Sequence, residues 1–159
     1  MRIYNCMKRI IMLALLFAAA AVASAQTFKV TSPDGRQEAA VDVKSSEGKT
    51  SIVYQTTFDG RPVVLPSVLD LTIDNHIWEK ALARKAAPVD KWFDNLEYSS
   101  HETFSRDTVW ANRYGERSMV HDAYNGVKIH FVKKDGSDYG LDIEFRAYNE
   151  GIALRYHLP

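Results

Sequence analysis

Cysteine is almost absent from this sequence. Cys6 is the only one among 159 residues, and it lies in an amino-terminal leader that we predict to be removed. The remaining chain then has no thiol from which to form a disulfide. Because small exported domains often depend on disulfides, this absence predicts a fold held together by burial of apolar side chains or by a metal.

A long membrane-spanning run is also missing. The apolar stretch 10–22 (IIMLALLFAAAAV) is shorter than the roughly 20 residues that cross a bilayer, and Arg2, Lys8 and Arg9 precede it. Small residues at 23–25 (ASA) follow it at the position that signal peptidases cut. The pattern predicts a signal peptide over 1–25, export to the periplasm or beyond, and no membrane association after cleavage.

The sequence has no excess of charge of either sign. Its formal net charge at pH 7 is zero, and the predicted leader carries basic but no acidic residues, so its removal leaves a slightly acidic chain. A balanced composition of this kind gives no basic surface for nucleic acid or for an anionic membrane.

The common catalytic and metal-binding signatures are missing as well. No GxSxG motif or glycine-rich phosphate loop occurs, and the five histidines form no HxxxH or HxH pair. The stretch 133–138 (KKDGSD) hints at a calcium loop but lacks the full spacing, so we interpret it as a turn. No residue of this chain is therefore assigned to a cofactor.

Turn signals and alternating apolar residues fill the rest of the chain. Turns are predicted at 32–35 (SPDG), 59–60 (DG), 125–126 (NG), 135–136 (DG) and 149–151 (NEG). Period-two apolar runs lie at 39–44, 52–58, 69–74, 127–131, 141–147 and 152–158. One buried and one wet face per run is typical of antiparallel β-structure, so we predict an all-β fold.

The last hairpin permits a prediction of register. With 148–151 as the loop, Ala147 faces Ile152 and the apolar residues of both strands share one face. On the other face Glu144 then meets Arg155 and Asp142 meets His157, which favours this register modestly. We interpret the two carboxylates as a solvated sheet face rather than as an acid/base pair.

The middle of the chain is less regular. Residues 76–87 (HIWEKALARKAA) are good helix formers, and Pro88 would end a helix there. Residues 88–113 are rich in aromatic and charged residues without a clear period. We therefore predict long irregular connections over 75–112, with a helical turn possible there.

The ordered motifs resemble the N-terminal domain of glycoside hydrolase family 97. They are 32–35 (SPDG), the hairpin at 59–60, 66–67 (PS), 114–117 (YGER), 124–125 (YN), 145–153 (FRAYNEGIA) and 155–156 (RY). The resemblance implies an exported α-glucosidase or α-galactosidase with a β-super-sandwich, a catalytic (β/α)₈ barrel and an active-site calcium. On this resemblance 26–159 is an incomplete antiparallel β-super-sandwich that packs on the missing barrel. It forms part of the carbohydrate pocket and is not catalytic alone.

Candidate site residues follow in two groups. Trp92, Trp110, Tyr114 and Glu116 are candidates for contact with the carbohydrate or with the barrel, or for packing within the sandwich itself. Arg146, Asn149, Gly151 and Tyr156 are predicted to fix the last hairpin.

Two other functions stay open. The chain could be a stand-alone periplasmic carbohydrate-binding β-domain without hydrolase activity, or a structural domain without a ligand. For a sandwich that is cut short, we also expect Ile152, Leu154 and Tyr156 to lie near an uncovered apolar margin.

Overall fold

The computed structural model describes residues 24–46, 49–72, 92–134 and 139–158. This part of the chain forms eight β-strands and contains no helix. The first sheet has the order β1-β2-β3-β4 and the second β5-β6-β7-β8, and every neighbouring pair is antiparallel. The strands are β1 (Ser24–Thr31), β2 (Gln37–Ser46), β3 (Lys49–Phe58), β4 (Arg61–Leu69), β5 (Leu96–Ala111), β6 (Met119–Lys133), β7 (Gly140–Tyr148) and β8 (Gly151–His157). The predicted all-β antiparallel sandwich is confirmed.

The core lies between the two sheets and consists mainly of alternate residues of β1, β2, β3, β6 and β7, with Leu69 from the end of β4. Each fully buried aliphatic or aromatic side chain of this kind contributes roughly 1.5–3 kcal/mol relative to an exposed one. Trp92 and Phe93, just ahead of β5, and Leu96, its first residue, pack against the same core. The strand residues of the core are Phe28, Val30, Ala39, Val41, Val43, Ile52, Leu69, Val127, Ile129, Phe131, Leu141, Ile143, Phe145 and Ala147.

Polar side chains add links between the sheets. Asn125 Nδ2 donates a hydrogen bond to the Thr31 carbonyl at 2.7 Å. Thr50 Oγ1 donates to the Leu96 carbonyl. These bonds satisfy polar groups that would otherwise lose water at the margins of an apolar core.

Two predicted turns have the backbone that their residues favour. In the 32–35 turn the Gly35 amide donates to the Ser32 carbonyl at 2.9 Å, and Gly35 has a φ of 76°. Asp59 and Gly60 both have positive φ, 49° and 72°, between the paired residues Phe58 and Arg61. Positive φ at both central positions is the two-residue hairpin geometry that Asp-Gly favours.

The register predicted for the last hairpin is confirmed. Ala147 pairs with Ile152, Glu144 with Arg155 and Asp142 with His157.

The strand predicted from the apolar run at 69–74 lies earlier in the chain, because β4 spans Arg61–Leu69 and ends where that run begins. Its last residues, 73–74, and the turn predicted at 135–136 lie outside the described residues, as do 1–23 of the predicted leader.

The prediction of irregular structure over 75–112 is wrong for 96–111, which is β5, the edge strand of the second sheet. Most of its residues are exposed, so neither face needed an apolar repeat and the period-two signal was absent. Residues 75–91, including all of the helix-forming stretch 76–87, lie outside the described residues.

The turn predicted at 125–126 is also wrong. Asn125 and Gly126 lie in the middle of β6, paired with Ala147 and Arg146 of β7. The Phe104 ring leaves no room for a side chain at Gly126, because a Cβ added there would come within 2.4 Å of that ring. The close approach of a neighbouring ring, rather than a turn, explains this glycine.

Candidate interaction surfaces

The β5–β6 hairpin is longer than the sheet to which it belongs. β6 pairs with β7 only over 124–132, whereas it pairs with β5 over 119–133. Residues 107–111 and 119–123 therefore form a two-stranded extension, joined by the loop 112–118, which we call the distal ribbon. A two-stranded ribbon has no second layer to cover it.

An arginine–aspartate ion pair and a histidine–aspartate contact occupy the base of the distal ribbon. Arg106 Nε lies 3.3 Å from Asp122 Oδ2, and His121 Nε2 lies 2.6 Å from Asp107 Oδ1. Because successive side chains alternate between faces, the two pairs lie on opposite faces of the ribbon. Both faces are therefore polar at this level.

Apolar side chains occupy the tip on both faces. Trp110 is 49% exposed and pairs with Val120, while Val109 and Met119 are 58% and 54% exposed on the opposite face. Tyr114, in the tip loop, is 88% exposed. Large apolar side chains exposed together mark an interaction surface more often than an ordinary wet surface.

The tip loop is closed by its own hydrogen bonds. The Asn112 amide donates to the Ser118 carbonyl at 2.8 Å, and the Tyr114 amide donates to Asn112 Oδ1 at 3.4 Å. Gly115 has a φ of 125°, which side-chain-bearing residues rarely adopt. The ribbon thus carries Trp110, Tyr114 and the exposed Glu116 together at its end.

Trp92, the fourth candidate, is not part of this group. It is buried in the core, with its ring 5.6 Å from that of Tyr139 and Lys133 Nζ 5.8 Å from its face. Its Nε1 has no hydrogen-bond partner among the described residues. In this structure Trp92 packs within the sandwich.

The outer face of the second sheet has a buried carboxylate at its centre. Glu144 is only 2% exposed, and it accepts hydrogen bonds from Arg146 Nε and from Arg155 Nη2, the latter at 2.7 Å. Burial raises the pKa of Glu144, but the bonds from the two arginines outweigh it and hold the pKa below its usual value. The interpretation of these two carboxylates as solvated is wrong, because arginine and histidine side chains of β6, β7 and β8 cover them.

The second carboxylate, Asp142, lies between two imidazoles. His130 Nδ1 is 2.8 Å from one of its oxygens and His157 Nδ1 is 3.2 Å from the other. Within the described ranges, no group of three or more His, Cys, Asp or Glu residues is arranged to hold a metal ion. No residue described here is therefore assigned to the calcium that the family resemblance implies.

An aromatic cluster adjoins the arginines. The Tyr124 ring lies 4.9 Å from that of Tyr148 and 6.1 Å from that of Phe104, and the Arg146 guanidinium lies 4.7 Å from the Tyr124 centroid. Burial lowers the pKa of Arg146. Its hydrogen bonds to Tyr148 and Glu144 raise that pKa by more, so it lies above its usual value. Arg146 is thus held in the structure on several sides.

The other three residues predicted to fix the last hairpin differ in their contacts. Asn149 Oδ1 accepts a hydrogen bond from the Asp34 amide at 3.1 Å. Tyr156 packs against the core, with its ring edge-on to Phe93 at 6.4 Å, and burial raises its pKa. Gly151 has open space where a Cβ would lie.

A groove that the sequence did not predict runs along the side of the sandwich. It lies between β3–β4 and β7–β8 and has a volume of about 640 Å³. Phe145 and Tyr54 lie at its floor, 6.0 Å apart between ring centroids. We call it the lateral groove, and it is lined by Arg36, Gln37, Tyr54, Thr56, Phe58, Val63, Val64, Phe145, Asn149, Glu150, Gly151, Ile152 and Leu154.

The apolar margin expected at Ile152, Leu154 and Tyr156 is uncovered only in part. Ile152 and Leu154 line the lateral groove, and Leu154 is 37% exposed, while Tyr156 is half-buried against the core.

No helix in the part of the chain that the structure describes has the length and apolarity needed to cross a membrane.

Comparison with known proteins gives one family. The family model described as Glycosyl-hydrolase 97 N-terminal matches residues 30–159. A retaining α-galactosidase of Bacteroides thetaiotaomicron is 29% identical over 129 residues, which are 81% of this chain and 16% of that protein. The chain therefore spans about a sixth of the length of this relative.

Solved structures give the same fold. A glycoside hydrolase family 97 enzyme from Pseudoalteromonas sp. strain K8, in complex with acarbose, matches with a TM-score of 0.62 and 23% identity over 83% of this chain and 17% of that one. A β-arabinopyranosidase matches with a TM-score of 0.63 and 23% identity over 84% of this chain and 18% of that one.

Proposed function

Since this chain belongs to the glycosyl-hydrolase 97 N-terminal family, we propose that it is the N-terminal domain of an exported α-glycosidase acting on α-glucosides or α-galactosides. It packs on the catalytic barrel of the enzyme, contributes part of the carbohydrate pocket and is not catalytic by itself. The predicted signal peptide supports export. Calcium belongs to the whole enzyme and is not assigned to this chain.

The burial and bonding of Glu144 and Asp142, the two carboxylates at the centre of the second sheet's outer face, support the proposal that this domain is not catalytic by itself. Glycoside hydrolysis needs two carboxyl groups that reach the scissile bond from either side. Glu144 is buried beneath two arginines and Asp142 is held between two histidines. Neither carboxylate is free to donate a proton to a sugar or to attack it.

The distal ribbon is the observation that carries the packing proposal. Its tip exposes Trp110 on one face and Val109 and Met119 on the other. A surface apolar on both faces fits a cleft better than it fits water or a flat partner. Trp110, Tyr114 and Glu116 are placed to contact the barrel or to line the carbohydrate pocket beside it.

A chimera tests this function. Residues 30–159 replace the matching region of the Bacteroides retaining α-galactosidase, and hydrolysis of an aryl α-galactoside is measured. We expect an active chimera, and no activity from the isolated chain 26–159. An inactive chimera, or an isolated chain that hydrolyses the glycoside at an enzyme-like rate, would contradict the proposal.

The lateral groove favours the second candidate, a stand-alone carbohydrate-binding domain. Aromatic rings at Tyr54 and Phe58 lie beside polar groups at Gln37 and Asn149, a mixture that suits a sugar. Titration calorimetry of the isolated chain with maltose and melibiose tests it. Heat of binding would support this candidate, and its absence would leave the enzyme domain.

A further inference from the structure

We propose that a small cavity on the outer face of the second sheet binds the carboxylate group of a small organic acid, such as acetate or a uronic acid. The cavity lies between β7 and β8 and has a volume of about 110 Å³. We call it the arginine notch, and it is lined by Glu144, Arg146, Tyr148, Ala153, Leu154 and Arg155. All of these residues belong to the second sheet, so the site does not depend on the proposed function.

The notch exists because β8 carries small residues beside long side chains of β7. Arg146 pairs with Ala153, and Tyr148 pairs with Gly151. The side chains of directly paired residues lie on the same face of a sheet, so these two partners fill little of the space beside the guanidinium and the phenol ring. Arg155 is the next residue of β8 on this face, and it bounds the notch at one end.

The arginine notch holds two guanidinium groups and one carboxylate. Arg146 Nε donates a hydrogen bond to one oxygen of Glu144, and Arg155 donates to the other oxygen from Nε at 3.0 Å and from Nη2 at 2.7 Å. The next carboxylate on this face of β7, Asp142, is contacted by histidines instead. Among the residues that the structure describes, Glu144 is therefore the only carboxylate that pairs with either arginine.

Ion pairs elsewhere in the structure match one cation with one carboxylate. A different carboxylate pairs with each of Lys29, Arg36, Arg106, Lys128 and Lys134. The arginine notch departs from this pattern by one positive charge, and the Arg155 side chain is 59% exposed and thus accessible to a ligand. An anion is the ligand that balances this charge.

The shape and lining of the notch favour a carboxylate over chloride. A guanidinium presents parallel N–H groups that match both oxygens of a carboxylate. The Tyr148 hydroxyl accepts a hydrogen bond from Arg146, so its own O–H is a donor for the same anion. Ala153 and Leu154 add apolar surface for the carbon atoms of an organic acid. A volume of about 110 Å³ equals that of roughly four waters at about 30 Å³ each, which is the size of acetate or of the carboxylate end of a uronic acid.

Saturation-transfer NMR of the chain 26–159 with glucuronate and with glucose tests this site, because the two sugars differ in the carboxylate. At low ionic strength, where charges are least screened, we expect the glucuronate signal to exceed that of glucose at least about fivefold. Arg155→Gln should remove this excess. The matched control is Arg36→Gln, which should leave the excess unchanged: Arg36 is similarly exposed, 52% against 59%, but its charge is balanced by Asp59.

A second measurement needs no variant, so it does not depend on how a substitution affects folding. The Nε–H resonance of Arg155 in the unaltered chain should move saturably with acetate, and it should move less with chloride at the same concentration. Equal movement with both anions would overturn the site, as would a glucuronate excess that persists in Arg155→Gln.

The chimera separates a small-molecule carboxylate from an acidic side chain of the enzyme as the occupant. We expect the glucuronate signal that depends on Arg155 to persist in the chimera, because docking is proposed for the distal ribbon and not for this face. Loss of the signal there would show that the rest of the enzyme fills the notch, and it would overturn a small-molecule ligand. Hydrolysis by the chimera is measured separately, so failure of this site leaves the proposed function intact.

Discussion

Asn149 connects the two sheets through the backbone of Asp34. Its Oδ1 accepts a hydrogen bond from the Asp34 amide at 3.1 Å, across 115 positions of sequence. Asp34 is itself fixed, because Ser32 Oγ donates to its carboxylate at 2.6 Å and the Arg36 amide donates to the same oxygen at 3.1 Å. The first turn of one sheet is thus attached to the last turn of the other.

Replacing Asn149 tests how much this link contributes. Asn149→Ala should lower the free energy of unfolding by about 0.5–1 kcal/mol, because one hydrogen bond at an exposed site is lost. Urea unfolding of the isolated chain measures it. Glu150→Ala is the control in the same turn, and equal effects of the two substitutions would show that the link contributes nothing.

Gly126 is predicted to resist any side chain. The Phe104 ring occupies the position of its missing Cβ, at 2.4 Å, so Gly126→Ala should destabilise the fold by about 1–3 kcal/mol. Gly151→Ala is the matched control, since nothing lies within 4 Å of its Cβ position.

A second substitution isolates the cause. Phe104→Ala should remove most of the additional cost of Gly126→Ala in a double-mutant cycle, because the contact then no longer exists. Additive effects would mean that the glycine is required for another reason, such as backbone conformation.

The last hairpin shows what the sequence could predict. Its loop and its two alternating strands admit one register that keeps both apolar faces together, and Ala147 does face Ile152. A local pattern was sufficient there because the partner strand is adjacent in sequence.

Other features depend on distant residues and left no local signal. Nothing near Gly126 in sequence indicates that Phe104 will cover it, so the Asn-Gly pair predicts a turn where the structure has the middle of a strand. The register of the last hairpin predicts the contact of Arg155 with Glu144, but it does not predict that Arg146 of the same strand also binds this carboxylate. β5 is long but exposed, and its order comes from pairing with β6 rather than from its own apolar pattern.

The distal ribbon should be dispensable for folding but required for docking. Trp110→Ser combined with Tyr114→Ser should leave the unfolding midpoint of the isolated chain unchanged, since the two side chains are 49% and 88% exposed. In the chimera the same pair should reduce hydrolysis at least about tenfold, because apolar contact area at the barrel is lost.

Leu65→Ser provides the control for loss of exposed apolar surface elsewhere, and it should leave the activity of the chimera unchanged. Retained activity in the Trp110 and Tyr114 variant would remove the ribbon as the docking element.

Glu144→Gln should be the most disruptive of the charge changes. It leaves the guanidinium groups of Arg146 and Arg155 without their shared carboxylate, of which only 2% is exposed. Because Arg155 is 59% exposed and screened by water, we expect a loss of about 1–3 kcal/mol in unfolding free energy rather than the full cost of a buried ion. Glu97→Gln, which affects an exposed pair with Lys134, should cost less than about 1 kcal/mol.

Acid provides an independent measure of the same carboxylate. The pKa of Glu144 is lowered in the folded state by its two arginines against the effect of burial, so the unfolded chain binds more protons between the two pKa values. The stabilisation is complete above the usual glutamate pKa of about 4.3 and is lost as pH falls through the folded value. Urea unfolding midpoints of the wild type and of Glu144→Gln, measured from about pH 6 to about pH 3, should therefore converge on acidification. A difference that stays constant over this range would show that the charge of Glu144 does not stabilise the fold.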